Sequence, residues 1–561
     1  MVPFSADLYQ HVFSFLPQRT VLDCRLLNKS VGGLATVLAF RHVRLEACRA
    51  APVGFIKLAF NEGLRNLVRE ITLDTWVGPE FNYHANLNYE EPKAFLRALP
   101  HLRSFRNLMK LNVRFNEYCG NEDGDDWGGI SFEETYDFRF CILDAVFRCV
   151  AGTWTESYQR EWLEEHDLED DVSDEDVQDT FLGYLDANDM FPTTPMQLTS
   201  LTISNLADYD DRRLTSSEAF MTVMALPSLR ELKVLVTVEL VDYAPEDAVW
   251  LPEQYDFFES LPQTWLSPSI AQDLRVLSLY SVDYWGWNPK MDFRVVNPLA
   301  GKQSGFPNLR VLALGNYIFS HEWQVDWIAS LGRCNGRGGL EELYLDDCPI
   351  MWQARNYEPF DESKTILGTD VDGNTIEICN EGYPLKEIMN RDNPTPQLDE
   401  PGVKEYDLRW HHMLETWRKE MHGLKVFKMG SGDWRGEAAD IDGNPDEEPL
   451  NMLSPADQER ISHRMKDTVF LNYDSPSPPA PDESDSRFKS RTSGLRQDRQ
   501  HILQYLQFNI GIGPSPWLER DFGSKLMRDS DSGLAEYERC RTKDEEALKT
   551  LIQGLEKRHR R

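Results

Sequence analysis

A six-residue pattern with apolar residues at its first, fourth and sixth positions recurs along the chain. It reads Val68-Arg-Glu-Ile71-Thr-Leu73, Leu108-Met-Lys-Leu111-Asn-Val113, Leu198-Thr-Ser-Leu201-Thr-Ile203 and Leu229-Arg-Glu-Leu232-Lys-Val234. Further copies are Leu274-Arg-Val-Leu277-Ser-Leu279, Leu309-Arg-Val-Leu312-Ala-Leu314 and Leu340-Glu-Glu-Leu343-Tyr-Leu345, with a degenerate Leu424-Lys-Val-Phe427-Lys-Met429. Alternate residues of an extended segment share a side, so each hexapeptide predicts a short strand with its fourth and sixth residues buried. The copies from Leu198 to Leu340 start 31, 45, 35 and 31 residues apart. Several follow an apolar helical stretch closed by proline, as in Ala225-Leu226-Pro227-Ser228-Leu229 and Gly305-Phe306-Pro307-Asn308-Leu309, and Pro-x-Leu-Arg recurs at 100–103, 227–230 and 307–310. Helix, proline stop, strand and loop form a unit that buries its apolar side only against its neighbours. A succession of such units predicts an α/β solenoid with a curved parallel sheet and flanking helices. Ordinary α/β units in a closed domain are the other arrangement the pattern allows.

Composition removes several functions. The 561 residues include 59 Lys+Arg against 93 Asp+Glu, a formal net charge of −34, and 41% are apolar. That is enough for a large core and for three to four domain-sized units. The acidity argues against nucleic-acid binding, whose affinity comes from Lys and Arg displacing counterions. No run reaches the ~18 apolar residues of a membrane span, and no basic stretch precedes an apolar signal core. The expectation is a soluble protein of the cytoplasm or nucleus. Nine cysteines at 24, 48, 119, 141, 149, 334, 348, 379 and 540 form no C-x-x-C pair and read as reduced thiols.

The N-terminus is helical in pattern. After Ser5, a fitting N-cap, Leu8, Val12, Phe15 and Leu16 share a face, and Pro17 stops the run. Thr20 with Asp23 starts a second helix carrying Val21, Leu22, Cys24, Leu26 and Leu27, and a third spans about 29–38 through Gly32-Gly33. The reading divides the chain into a helical module at 1–48, a repeat array at 51–435 with acidic insertions near 115–195 and 350–410, an acidic and Pro/Ser-rich linker at 436–500, and helices at 501–508 and 534–559 within 501–561. The run from Glu161 through Asp179 contains no Lys or Arg. The last helix ends in Lys557-Arg-His-Arg-Arg561, favourable charge for a helix C-terminus.

Phe4-Ser-Ala-Asp7-Leu8-Tyr-Gln-His-Val12-Phe13-Ser-Phe15-Leu16-Pro17 followed by Thr20-Val-Leu22-Asp-Cys-Arg25-Leu26-Leu27-Asn28-Lys29 resembles an F-box. It keeps that family's apolar positions in order without a gap, with Ser5 where the family has proline. Phe40-Arg-His-Val-Arg-Leu45 is similar to the continuation seen in fungal members, and the match covers about residues 4–45. Leu340, Leu343, Leu345 and Cys348 match the leucine-rich-repeat pattern L-x-x-L-x-L-x-x-C, and many F-box proteins carry such arrays. The resemblance implies a three-helix F-box followed by an irregular leucine-rich-repeat solenoid. It implies docking on a Skp-type adaptor, and through it on a cullin ubiquitin ligase, with Leu8, Val12, Leu16, Pro17, Leu22, Leu26, Leu27, Asn28 and Lys29 as contacts. About half of these are expected to form the module's own core.

Motifs for chemistry are missing. Asp370, Asp372, Asn374 and Glu381 occupy calcium-loop positions, but Thr375 replaces the required Gly, and Asp440-Ile-Asp442-Gly-Asn444 runs into Pro445. Adjacent His411-His412 diverge on a helix, and His321-Glu-Trp lacks a second His. Gly511-Ile-Gly513-Pro lacks the Lys of a phosphate loop. No cofactor, metal or catalytic residue is expected. The reading is a non-enzymatic substrate-recognition subunit of an SCF-type ubiquitin ligase. Arg230, Lys233, Arg275, Arg310, Glu341 and Tyr344, on solvent-facing strand positions, would contact the target, and the overall acidity favours a basic one. The alternatives are a repeat scaffold outside ubiquitin ligases and an enzyme built in the insertions.

Overall fold

The computed structural model describes residues 6–13, 15–16, 18–47, 50–75, 92–115, 119, 134–166, 168, 191–237, 252–298, 305–356, 359–369, 373, 375–385, 401–430, 503–509, 517–519 and 531–559. The described residues divide into two compact units, one within 6–206 and 211–229, the other within 207–210, 230–430 and 503–559.

In the first unit, helices α1 (Ala6–Phe13), α2 (Gln18–Cys24) and α3 (Lys29–Ala39) lead into strand β1 (His42–Glu46). Then come α4 (Ala50–Phe60), β2 (Glu70–Asp74), α5 (Lys93–Ala98), β3 (Lys110–Arg114), α6 (Tyr136–Ala151), α7 (Glu156–Glu165), β4 (Ser200–Ala207) and α8 (Glu218–Met224). Strands β1 to β4 pair in chain order, all parallel, with His42, Glu70, Lys110 and Ser200 in register. Thr135 caps α6 by accepting the Phe138 N–H, and Gly152, at φ 74°, ends it. Phe147 of α6 meets Phe220 of α8 edge-on at 5.4 Å.

The second unit holds β5 (Glu231–Thr237), α9 (Pro252–Ser260), β6 (Val276–Trp285), β7 (Val311–Tyr317), α10 (Glu322–Ser330), β8 (Glu342–Asp346), β9 (Ile350–Asn356), β10 (Lys364–Thr369), β11 (Thr375–Cys379), β12 (Gly402–Glu405), α11 (Trp410–Glu420), β13 (Val426–Gly430), β14 (Tyr505–Asn509), β15 (Trp517–Glu519) and α12 (Asp531–His559). Strands β5, β6, β7, β8 and β13 form a parallel row. A mixed sheet runs β12-β9-β14-β15, and β10-β11 is a separate hairpin.

Each hexapeptide enters a strand at its third residue, with its first, fourth and sixth side chains buried. At the eighth position Asn205, Asn316 and Asp347 take φ of 60°, 57° and 50°, the left-handed region that Asn and Asp tolerate best after Gly. Asn205 Nδ2 donates to Phe115 O at 2.8 Å and Asn316 Nδ2 to Ser281 O at 3.0 Å, tying these two positions to the chain of the preceding strand.

The expected three-helix F-box followed by a leucine-rich-repeat solenoid with a curved sheet is corrected: the chain is α/β, built on parallel strands enclosed within compact units. Directly after α3, β1 pairs with β2, so residues 42–46 belong to the parallel strands rather than to the helices. An open solenoid leaves its sheet's concave side to solvent. Here Thr72, Asn112, Thr202, Ser278, Ala313 and Tyr344, the fifth residues of six of the eight hexapeptides, are buried, and Lys233 and Lys428 at the same position are half-buried. Burial on both sides is the ordinary state of a parallel sheet. After β8 the chain also leaves the row, and β9 founds the mixed sheet beside β14. The reading of 501–508 as helical is likewise corrected, because Tyr505–Asn509 is a strand, with Tyr505, Leu506 and Phe508 buried beside β9.

Helix α12 completes both ends of α11. The buried Asp544 carboxylate accepts the His411 N–H at 2.9 Å, His411 Nδ1–H at 2.6 Å and the Tyr505 hydroxyl at 2.7 Å, a negative charge at the positive end of α11. At the other end Arg558 donates to Met421 O at 2.7 Å, Leu424 O at 3.2 Å and Arg418 O at 3.3 Å. The basic tail thus includes a structural cap, and His411 is committed to Asp544. Of the calcium-like positions, Asp370, Asp372 and Asn374 lie outside the described residues; beyond them Thr375–Cys379 is β11 of a hairpin, where Lys364 binds Glu377, and Lys404 holds Glu381 at 2.7 Å. His321 stacks on Tyr383 at 4.5 Å. Its Nε2 lies 2.8 Å from Glu381 O, which can only accept, so Nε2 carries the proton and Nδ1 accepts from Ser320 Oγ. Burial pushes its pKa down to about 4.

Two outcomes follow. Asp544→Ala strands the His411 donors and the Tyr505 hydroxyl, at a cost of about 1–3 kcal/mol. It is expected to raise hydrogen exchange in both α11 and α12, and unchanged protection would refute the cap. For His321, the unfolded ring takes a proton near pH 6.5 and the folded ring only near pH 4. The stability it contributes is therefore lost as pH falls from 6.5 to 4. The urea midpoint should drop more steeply over that window in the wild type than in His321→Gln, and equal slopes would contradict the assignment.

Candidate docking surface

The helices α1 to α3 are too short to cover their own apolar residues. Their shared core is Phe13, Val21, Val31, Ala35 and Ala39, with Tyr9, Leu16, Cys24, Leu34, Leu38 and Phe40 packed against it. One step round each helix the apolar character continues into solvent. Tyr9 and Phe13 of α1 face in while Leu8 and Val12 are exposed, and Val21 of α2 faces in while Leu22 is exposed. Phe15, in the turn after α1, is exposed and carries the His11 ring edge-on at 4.8 Å. The turn from α2 to α3 presents Leu26 and Leu27 at 87% and 68% exposure.

These outward side chains are held by a rigid frame. Asn28 caps α3 by accepting the Val31 N–H at 2.9 Å. Arg25 donates Nε to Thr36 Oγ1 at 3.0 Å and lies 5.0 Å from the Phe40 ring, bracing α2 against α3. Gly32 permits the approach of the two helices, since a Cβ there would sit 2.7 Å from Arg25 O. Glycine weakens a helix interior, but here its lack of a side chain is what lets the carbonyl in.

Of the expected adaptor contacts, Leu8, Val12, Leu22, Leu26 and Leu27 lie on the exposed surface, and Lys29 is exposed in the first turn of α3. Leu16 packs on the core instead, and Asn28 is exposed and serves as the cap. Pro17 lies outside the described residues. Phe15 and Val37 belong to the exposed apolar set but were not among the expected contacts. Phe15 shares the seven-residue spacing from Leu8; Val37 had no signal, being one apolar residue among many in α3.

The expected target contacts are dispersed. Arg230 pairs with Asp273 at 3.3 Å, Lys233 is half-buried, and Arg275 is exposed. Arg310 is half-buried, and Glu341 binds Lys425 at 2.8 Å and Arg337 at 3.7 Å. Tyr344, expected on the solvent side, is 1% exposed, with its hydroxyl donating to Glu342 at 2.8 Å. Burial on both sides of the parallel row removes it from any surface. Among the described residues no group of three or more His, Cys, Asp or Glu side chains is placed to hold a metal ion, and no helix is long and apolar enough to cross a membrane. Neither the protein-family models nor the curated proteins compared with the chain match it.

The two adjacent glycines of α3 separate frame from surface. Gly32→Ala forces Arg25 O away and is expected to destabilise the helices by about 1–3 kcal/mol. Gly33→Ala, with nothing within 4 Å of the new Cβ, is expected to stabilise α3 by up to ~1 kcal/mol. Hydrogen exchange over 18–39 reads both, and a matching response from the two variants would refute the close approach.

Proposed function

We propose that the chain is a substrate-recognition subunit of an SCF-type ubiquitin ligase, acting in the cytoplasm or nucleus. Its N-terminal helices hold a Skp-type adaptor, and a second surface of the chain holds a target protein. The observation that carries this reading is the solvent-facing apolar set of Leu8, Val12, Phe15, Leu22, Leu26 and Leu27, within the stretch that resembles an F-box.

The energetics favour a partner there. Fully burying one such side chain contributes roughly 1.5–3 kcal/mol. Four of the six are already more than half buried, so the set supplies roughly 5–10 kcal/mol, enough to offset part of the lost freedom of association, roughly 4–15 kcal/mol. A contiguous apolar surface is otherwise an aggregation hazard for a protein standing alone. The mechanism is tethering: a target held on the same chain as the adaptor is presented to the ligase's catalytic partner at a high effective concentration, and the transfer itself happens elsewhere.

Co-purification with the Skp-type adaptor tests the reading. The variant Leu26→Asp/Leu27→Asp alters the two most exposed side chains of the set, so it should keep the wild-type melting temperature. The expected result is adaptor retained by wild type and lost by the variant. Wild type that fails to retain the adaptor overturns the proposal. Retention without any cullin-dependent change in a bound partner's lifetime would instead indicate a scaffold.

A further inference from the structure

Strand β12 ends the mixed sheet and, among the described strands, pairs with β9 alone. The pairing is antiparallel, with Val403 opposite Arg355 and Glu405 opposite Gln353. In the same register Tyr406 N–H donates to Trp352 O at 2.9 Å. Antiparallel partners exchange hydrogen bonds at every second position. Gly402 and Lys404 therefore share the phase of Tyr406 and turn their N–H and C=O groups to β9, while Val403 and Glu405 turn theirs outward. Among the described residues no backbone group pairs with that outward edge.

An open edge is ordinarily blunted by lysine, proline or a bulge. Here Lys404 is drawn off to Glu381 at 2.7 Å, and the register with β9 runs without a bulge. Pro401 closes the N-terminal end, and no proline follows within the strand. Val403, in mid-strand, is 54% exposed. The charge beside this edge is negative. Glu405 and Asp407 are exposed, and neither has an ion pair among the described residues; Glu405 accepts Gln353 Nε2 at 3.5 Å. Arg355, opposite Val403, is half-buried with its Nε shielded from solvent. Two exposed carboxylates outweigh one half-buried guanidinium.

We infer that β12 accepts a short, extended, basic segment of the target protein as an added antiparallel strand. The inference deepens the target-binding half of the function proposed above and rests on that reading. Main-chain bonds to Val403 and Glu405 supply affinity, and the side chains set opposite them supply selectivity. Chain direction fixes their order. In an antiparallel pair the residue facing Glu405 comes two places before the residue facing Val403. The segment therefore reads Lys/Arg-x-Val/Ile from N- to C-terminus, a cation against the carboxylate and a β-branched side chain over Val403. A second copy of the chain fits less well, because the residues of β12 and its flanks in the outward phase, Pro401, Val403, Glu405 and Asp407, bring no cation to Glu405.

The test uses the full chain and three fluorescein-labelled peptides: Ser-Lys-Thr-Lys-Thr-Val-Thr-Ser, the same residues in reverse order, and the first peptide N-methylated at its valine. Fluorescence anisotropy should show the first peptide bound and the other two weaker by about tenfold or more. Val403→Pro removes an outward N–H and leaves the bonds to β9 in place, so it should weaken the first peptide about tenfold at an unchanged melting temperature. The methylated peptide reads the same main-chain pair with the protein unaltered. Glu405→Lys, at an exposed position, should weaken binding by a similar factor. Adaptor retention by both variants should equal wild type, so failure here and failure of the adaptor reading are separate results. No binding of the first peptide, equal binding of all three, insensitivity to both variants, or self-association of the chain that Val403→Pro abolishes would each overturn the inference.

Discussion

The carbonyl oxygen at the second position of a hexapeptide accepts two N–H groups from the next strand. Arg69 O receives Met109 and Lys110, Met109 O receives Thr199 and Ser200, Arg275 O receives Arg310 and Val311, and Glu341 O receives Lys425 and Val426. This shared acceptor sets the register before the strand proper begins, and the rest follows from it. A slip of one residue would turn every fourth and sixth side chain to the wrong side, so Ile71, Leu111 and Leu201, or Leu232, Leu277, Leu312 and Leu343, would no longer meet. The buried leucines and the carbonyl specify the same alignment independently, and that agreement lets irregular loops intervene without loss of order.

Strand positions were legible because a strand is a local object, and period-two burial writes itself into six residues. What lies on the second side of a sheet is not local. Thr72, Ser278 and Tyr344 occupy equivalent positions, and their polarity suggests solvent, yet all three are buried. Tyr505–Asn509 misled in the opposite way: its apolar residues fit a helix until β9 supplies the neighbour that makes it a strand. Asp544 and Arg558 carried no legible sign of their work, since a cap donated by another helix leaves no short-range spacing. The left-handed Asn205, Asn316 and Asp347 did leave one, an Asn or Asp two residues past the hexapeptide, which the leucine pattern obscured.

At the N-terminal helices the apolar positions were legible and their division between inside and outside only partly so. Leu16 and Leu26 are indistinguishable by type. What separates them is that Leu16 packs against the shared core of the three helices, whereas Leu26 falls in the turn that Arg25 and Asn28 pin in place. Gly32 shows the same dependence on context, because a residue that weakens an isolated helix is the one that allows this helix to approach its neighbour.

Strand β9 is flanked by β12 on one side and β14 on the other, and Gln353 meets Gln507 across 154 positions of sequence. A ribosome adding about 5–20 residues per second emits β9 roughly 8–30 s before its partner. Over that interval Met351 and Ala354, later buried in the mixed sheet, must wait with one edge of backbone unpaired. Helix α11 waits nearly as long, its capping side chains lying 133 and 137 positions further along the chain. The second unit is therefore assembled against the direction of synthesis, its inner strand being made early and closed late.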